Sequence, residues 1–147
     1  MFFGVDVNEM DGNMEWHRLK ERGLRFAMLC AGYGSGSIDL QFRKNAEFCN
    51  MLDIPCGAYW ISYAYTTEMA KKEAEFCIET IEEFDFAFPL CFKYSDSSVR
   101  YAESKGVKVT EELIQELAKA FCRRAKEAGY ISICCIELNK CKIIFDT

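Results

Sequence analysis

The stretch IPCGAYWISYAYTTEMAKKEAEFCIETIEEFDFAFPLCFKYSD, Ile54 to Asp96, changes its hydrophobic period twice. Ile54–Ala64 is a short apolar and aromatic run, read as a strand. Thr66 or Thr67 can cap the helix that follows, with Glu68 early in it. Met69, Ala70, Ala74, Cys77, Ile78 and Ile81 then recur along one helical side. Phe88–Asp96 is again strand-like and ends by presenting Lys93, Tyr94 and Ser95 at its tip. Strand, helix and strand in succession predict parallel strands covered by helices.

The same alternation extends in both directions. Phe2–Val7 is a short apolar run, and Met14–Gly23 carries Trp16, Leu19 and a terminal glycine, the pattern of a short amphipathic helix. Arg25–Gly34 reads as the second strand. Asp39–Asp53 places Phe42, Ala46, Cys49 and Leu52 on one helical face. After the fourth strand, Ser95–Val109 reads as a polar loop long enough to be functional or to cover something. Thr110 caps a helix over Glu111–Gly129, with a stripe of Leu113, Leu117, Phe121 and Ala125 closed by Gly129. Tyr130–Leu138 is the fifth strand, and Lys140–Phe145 is a sixth or its continuation. No repeat, low-complexity tract or linker divides the chain, so residues 1–147 are read as one domain.

Bulk composition narrows the classes of function. The 147 residues are half hydrophobic, enough for one sizeable core. Eighteen Lys and Arg stand against 23 Asp and Glu, and the basic residues are scattered, which argues against a nucleic-acid footprint. No apolar run approaches the roughly 20 residues that span a bilayer. The opening MFFGVDVNEMDG has neither a basic n-region nor a long apolar h-region, so no signal peptide is expected and synthesis in the cytoplasm is the default. Nine cysteines without a CxxC pair, and one histidine, predict buried reduced thiols rather than a metal cluster; no cofactor is called for.

Parallel α/β sheets bind ligands at the carboxyl ends of their strands. Here those ends carry Asp6, the Tyr33–Gly36 loop, Ser62 and Tyr63, Lys93 to Asp96, and Glu137. The Gly32–Ser37 segment GYGSGS lacks both the Walker lysine and the dinucleotide-binding spacing, so a flexible rim is preferred to a phosphate cradle.

These segments, GVDVNEMDGNMEW, AGYGSGSIDLQFRKNAEFC, IPCGAYWISYA, AKKEAEFC, SVRYAESKGV and AKAFCRRAKEAGY, resemble in order and spacing the glycoside hydrolase family 25 lysozymes. Those enzymes are muramidases that cut peptidoglycan glycan between N-acetylmuramic acid and N-acetylglucosamine. The resemblance implies a TIM-like (β/α) barrel, here incomplete, with about five parallel strands and outer helices. It also implies cell-wall or extracellular action if the protein is released as family members are, and peptidoglycan glycan as the partner.

Carried over residue by residue, the resemblance places Asp6 on the family's first-strand aspartate. The family's Asp-x-Glu after the fourth strand falls without a gap on Lys93-Tyr94-Ser95, so both acids are missing. Glycoside cleavage needs one carboxyl group to protonate the leaving oxygen and another to assist at the opposite face. A serine hydroxyl is too weak an acid for the first task, and an ammonium repels a developing oxocarbenium ion. Asp96 and Glu137 are the remaining acids near the tips; Glu9 and Asp11 decorate the first turn. An Asp6–Lys93 pair across strand ends is one open alternative, a solvated Lys93 the other. Cys30 stands where the resembling segment usually has arginine. The chain is also about fifty residues shorter than family members, so the first and fifth strands are expected to have open edges that invite a second copy or a complementing chain. Two functions remain: a catalytically impaired, lysozyme-like glycan module using Tyr33, Tyr59 and Tyr63 as substrate surfaces, or an active muramidase using Asp6 with an unrecognised acid. Trp60 should face away from Tyr59 and Tyr63 in a regular strand.

Overall fold

The structure is a computed structural model; it describes residues 2–138 and the backbone of residues 141–146. Its strands are β1 (Phe3–Val7), β2 (Leu24–Tyr33), β3 (Ser37–Ile38), β4 (Cys56–Ile61), β5 (Leu90–Ser95), β6 (Ser132–Leu138) and β7 (Cys141–Asp146). The helices are α1 (Trp16–Glu21), α2 (Phe42–Met51), α3 (Thr67–Ile81), α4 (Asp96–Ser104) and α5 (Glu111–Glu127), with a 3-10 turn at Glu9–Asp11. Strands β1, β2, β4, β5 and β6 are parallel and adjacent in that order, with β3 and β7 antiparallel to β2 and β6.

This sheet is curled into part of a barrel. In a flat sheet three strand spacings would put β1 and β5 about 14 Å apart, yet Asp6 of β1 and Lys93 of β5 form an ion pair across the concave face. Alternation along the strands separates two cores. Ala27, Leu29, Ala58, Trp60, Phe92 and Cys134 face the helices and pack on residues such as Ala74, Cys77, Leu117 and Phe121. Cys30, Tyr59, Cys91 and Cys135 fill the concave side with Met28, Ile61 and Ile133. Trp60 thus turns away from Tyr59, as its parity requires.

Local chemistry explains the helix starts. Thr66 and Thr110 each accept the N–H of the residue three positions on, at 3.2 Å, and so cap α3 and α5. The expected polar loop after the fourth strand is instead mostly helix: α4 begins directly after Ser95. Ser95 N–H donates to Ser98 Oγ at 3.1 Å, which satisfies the backbone at that end.

Two further expectations change. The glycine-rich segment is a tight hairpin rather than a loose rim, because Gly34 (φ 59°) and Gly36 (φ 101°) adopt a backbone that turns β2 into β3. The edge expected to be open at the fifth strand is covered, because the sixth strand foreseen over Lys140–Phe145 is present as β7 and pairs with β6 from Leu138↔Cys141 to Ile133↔Asp146. The eight described cysteines are all buried and outside disulfides; the Cys141 side chain lies outside the described residues. Among the described residues no helix is long and apolar enough to cross a membrane.

Candidate active site at the strand tips

Residue parity on β5 sends Lys93 and Ser95 to the concave face, where β6 places Glu137 directly opposite Ser95. Lys93 Nζ lies 3.8 Å from Asp6 Oδ2, 3.6 Å from Glu137 Oε2 and 4.8 Å from the Tyr59 ring centroid. Its side chain is 18 % exposed. Both carboxylate contacts are longer than a good hydrogen bond, so the attraction is chiefly charge on charge. The ammonium therefore sits between two acids and over one aromatic face. Of the two alternatives left open by the sequence, the Asp6–Lys93 pair is the one that exists, and Glu137 makes it a triad.

Tyr59 is the floor of this arrangement. It is only 4 % exposed, and its hydroxyl donates to the Val7 carbonyl at 3.2 Å. Burial foremost, with the neighbouring Cys30 and Asp6, pushes its phenol up, so it stays protonated. Ser95 ends β5 and heads α4, with its hydroxyl 2.9 Å from that of Ser97. Asp96 opens α4, where a carboxylate complements the helix N-terminus.

Beside the triad, Cys30 is buried and its thiol reaches the Gly32 carbonyl at 3.7 Å. Burial and then Asp39 push that thiol up to about 12, so it stays a neutral thiol. Asp39 is itself buried and accepts the N–H groups of Glu9 (2.8 Å) and Gln41 (2.9 Å); its carboxyl is raised by burial. Glu9 in turn accepts the Leu40 N–H at 2.8 Å. Glu9 therefore ties the first turn to the segment after β3, a role its sequence position did not reveal, whereas Asp11 accepts the Asn8 N–H within that turn.

Next to the tips stands a chain of tyrosines. Tyr33 meets Tyr63 edge to face at 6.5 Å, and Tyr63 meets Tyr101 at 5.5 Å. Tyr65 adjoins Tyr101 at 6.3 Å. Tyr33 is 38 % exposed. Tyr33, Tyr63, Met69, Phe76 and Tyr101 line a groove of about 570 Å³. Tyr33 and Tyr63 thus belong to one surface, while Tyr59 lies beneath Lys93.

Glu73 of α3 was missed. It is 2 % exposed and accepts the Ser62 hydroxyl at 2.5 Å and the Tyr63 N–H at 2.8 Å. Burial raises its carboxyl to about 7 against these two hydrogen bonds. The available signal was an acid placed three residues after Ala70 and four before Cys77, inside the apolar stripe. Among the described residues, no three His, Cys, Asp or Glu side chains converge to hold a metal.

The family profile described as Glycosyl hydrolases family 25 matches residues 5–135, most of the chain. The chain belongs to glycosyl hydrolase family 25. Solved structures with the same fold include the modular autolysin LytC of Streptococcus pneumoniae, with a TM-score of 0.75 and 21 % identity over 92 % of this chain and 32 % of that one. A family 25 glycosyl hydrolase from Bacillus anthracis gives 0.74 and 24 %, over 91 % of this chain and 59 % of that one. The modular Cpl-1 endolysin of phage Cp-1 gives 0.69 and 16 %, over 89 % and 35 %. LytC has been solved with a synthetic peptidoglycan ligand and Cpl-1 with a peptidoglycan analogue. This family 25 chain therefore spans from about a third to three fifths of the length of these structures. None of the curated protein sequences compared with it matches.

Proposed function

We propose that this family 25 domain is a muramidase-like module that engages peptidoglycan glycan at its strand tips but is impaired in cleaving it. The observation that carries the reading is the Lys93 ammonium between Asp6 and Glu137. An oxocarbenium-like transition state needs negative charge beside it and a carboxylic acid at the leaving oxygen. Lys93 offsets the first, and Ser95 cannot supply the second. The tyrosine rim serves as the glycan platform, with Tyr33 and Tyr63 offering ring surface for stacking. Support for the substrate class comes from family membership and from the peptidoglycan ligands bound by LytC and Cpl-1. Under this reading the place of action is the cell wall. A second copy or a complementing chain at the open edge of β1 is part of the proposal.

One observation favours the second reading, an active muramidase. Asp6 and Glu137 both border one ammonium, so their facing oxygens are at most about 7.4 Å apart, a bound that admits the roughly 5–5.5 Å of retaining glycosidases and the lower part of the roughly 6.5–9.5 Å of inverting ones. Reducing-end release from purified peptidoglycan separates the two. The unmodified protein should release none, and Lys93→Asp with Ser95→Glu should give at most trace cleavage, because the surrounding groups must also be placed to about 0.5 Å. Clear cleavage by the unmodified protein, abolished by Asp6→Asn or Glu137→Gln, would overturn the impaired reading.

A further inference from the structure

Nine cysteines in 147 residues invite the question of what their sulfurs touch. Six of the eight described ones meet in pairs. Cys122 Sγ lies 3.5 Å from Cys134 Sγ, while the thiols of Cys49 and Cys56, and of Cys91 and Cys135, are close enough to perturb one another. We propose that Cys122 and Cys134 close into an intramolecular disulfide when the protein meets a small-molecule disulfide, stapling α5 to β6.

The argument is geometric. Cys122 sits on the buried face of α5, and Cys134 on the helix-facing side of β6; they are 4 % and 0 % exposed. Their sulfurs are already at van der Waals contact, and closure to a bond of about 2.05 Å needs a movement of roughly 1.5 Å. A helix packed on a strand can supply that by sliding or by rotating side chains, with no strand register to break. Cys91 and Cys135 are placed differently. Cys91 stands opposite Ile133 on the neighbouring strand, so Cys135 is one pleat farther along. A diagonal pair of this kind has Cα atoms about 7–8 Å apart, beyond the usual disulfide span. Cys56 is also engaged by Asn50 Nδ2 at 4.0 Å and by the Asp85 carbonyl at 3.8 Å, and a bond to Cys49 would close a shorter loop that gains less.

The exchange balances. The Cys122 thiolate attacks one sulfur of the oxidant, breaking its S–S bond and releasing one thiolate. Cys134, giving up its proton, attacks Cys122 Sγ in the mixed disulfide and expels the second thiolate. Two cysteines lose two electrons and two protons, and the oxidant leaves as two thiols. Because both sulfurs are shielded, the reaction proceeds through opening of the α5–β6 contact or during folding, and is slow. The product is shielded equally from reductants. It is a staple rather than a rapid switch.

The test uses the whole chain, folded or refolded in glutathione disulfide, then alkylated and analysed by intact mass and a non-reducing peptide map. The expected result is a loss of about 2 Da in the cross-linked form, with one linked pair. Cys134 and Cys135 share a tryptic peptide, so fragmentation between them makes the assignment. The oxidised protein should melt on the order of 5–10 °C above the reduced one, and Cys122→Ala should abolish that rise. Glutathione adducts without the mass loss, a linkage through Cys135 or between Cys49 and Cys56, or a crosslink that leaves the melting temperature unchanged would each overturn the proposal. The map on the unmodified protein decides even if the variant fails to fold.

Discussion

Replacing Glu73 by glutamine should make the domain more stable at pH 8 and slightly less stable at pH 4.5. Burial lifts the Glu73 carboxyl from its ordinary 4.5 to about 7. Between those values the folded chain holds a proton that the unfolded chain has released. Ionisation therefore subtracts from stability as pH rises through this window, and the full cost is present above pH 7. A displacement of that size corresponds to about 3 kcal/mol. Glutamine removes the ionisation and can accept the Tyr63 N–H through its oxygen. Its NH₂ would then face Ser62 Oγ, which already accepts the Ala64 N–H at 3.1 Å, and the Ser62 proton loses its acceptor. That loss costs on the order of 1 kcal/mol. The difference between variant and parent should thus run from about −1 kcal/mol at pH 4.5 to about +2 kcal/mol at pH 8.

Denaturant titration of both proteins at four or five pH values measures this difference directly, since groups common to both cancel. Tyr94, pushed up to about 12, and Cys77, pushed well above its ordinary value, are both raised chiefly by burial and stay protonated across the window. A difference that does not change between pH 4.5 and 8 would refute the reasoning and mean that Glu73 ionises as a solvated acid does.

Other outcomes follow from the site and from the open sheet. Tyr63→Ala should weaken retention on insoluble peptidoglycan by roughly 2- to 12-fold, the equivalent of one ring contact, while far-UV circular dichroism stays unchanged; undiminished retention would remove Tyr63 from the glycan surface. Phe26 and Phe88, 42 % and 39 % exposed and edge to face at 5.8 Å, offer apolar contact for a second copy. Light scattering should find association in the parent and a monomer in Phe26→Asp; a monodisperse parent at high concentration would dismiss this contact.

Much of the fold was legible because strands and helices here differ in period. The capping threonines, the apolar stripe of α3 and the alternation that turns Trp60 away from Tyr59 are local properties. Helix α4 was not legible for the same reason: its first turn is Asp-Ser-Ser, residues that compete for backbone hydrogen bonds and favour turns. Its buried residues are only Ser98 and Ala102, so no wide stripe announces it. At the site, parity placed Lys93 and Ser95 on one face. The addition of Glu137 to the Asp6–Lys93 pair was not readable, because it depends on which edge of β5 receives β6 and in what register. Glu73 was readable in principle, as an acid whose spacing puts it among alanines and cysteines.

Under the proposed reading, in which Lys93 and Ser95 stand at the positions of the family's two acids, the two residues make sense together when charge is counted. With an aspartate at position 93 and a glutamate at 95, the concave face would gather those two carboxylates with Asp6 and Glu137 at one end of the sheet. Like charges at such separations resist joint ionisation, which is useful for keeping one acid protonated but costs stability in the absence of substrate. Lysine at 93 reverses both effects: it supplies a permanent counter-charge to Asp6 and Glu137, and Ser95 adds no charge while its backbone begins α4. Each partly exposed pair contributes on the order of 1 kcal/mol or less. Under that proposed reading the larger consequence is electrostatic, because the negative charge that a developing oxocarbenium ion needs beside it is already neutralised. Restoring either acid alone should therefore do little. Ser95→Glu alone would place its carboxylate near an ammonium that holds it ionised, and Lys93→Asp alone would return negative charge without a proton donor.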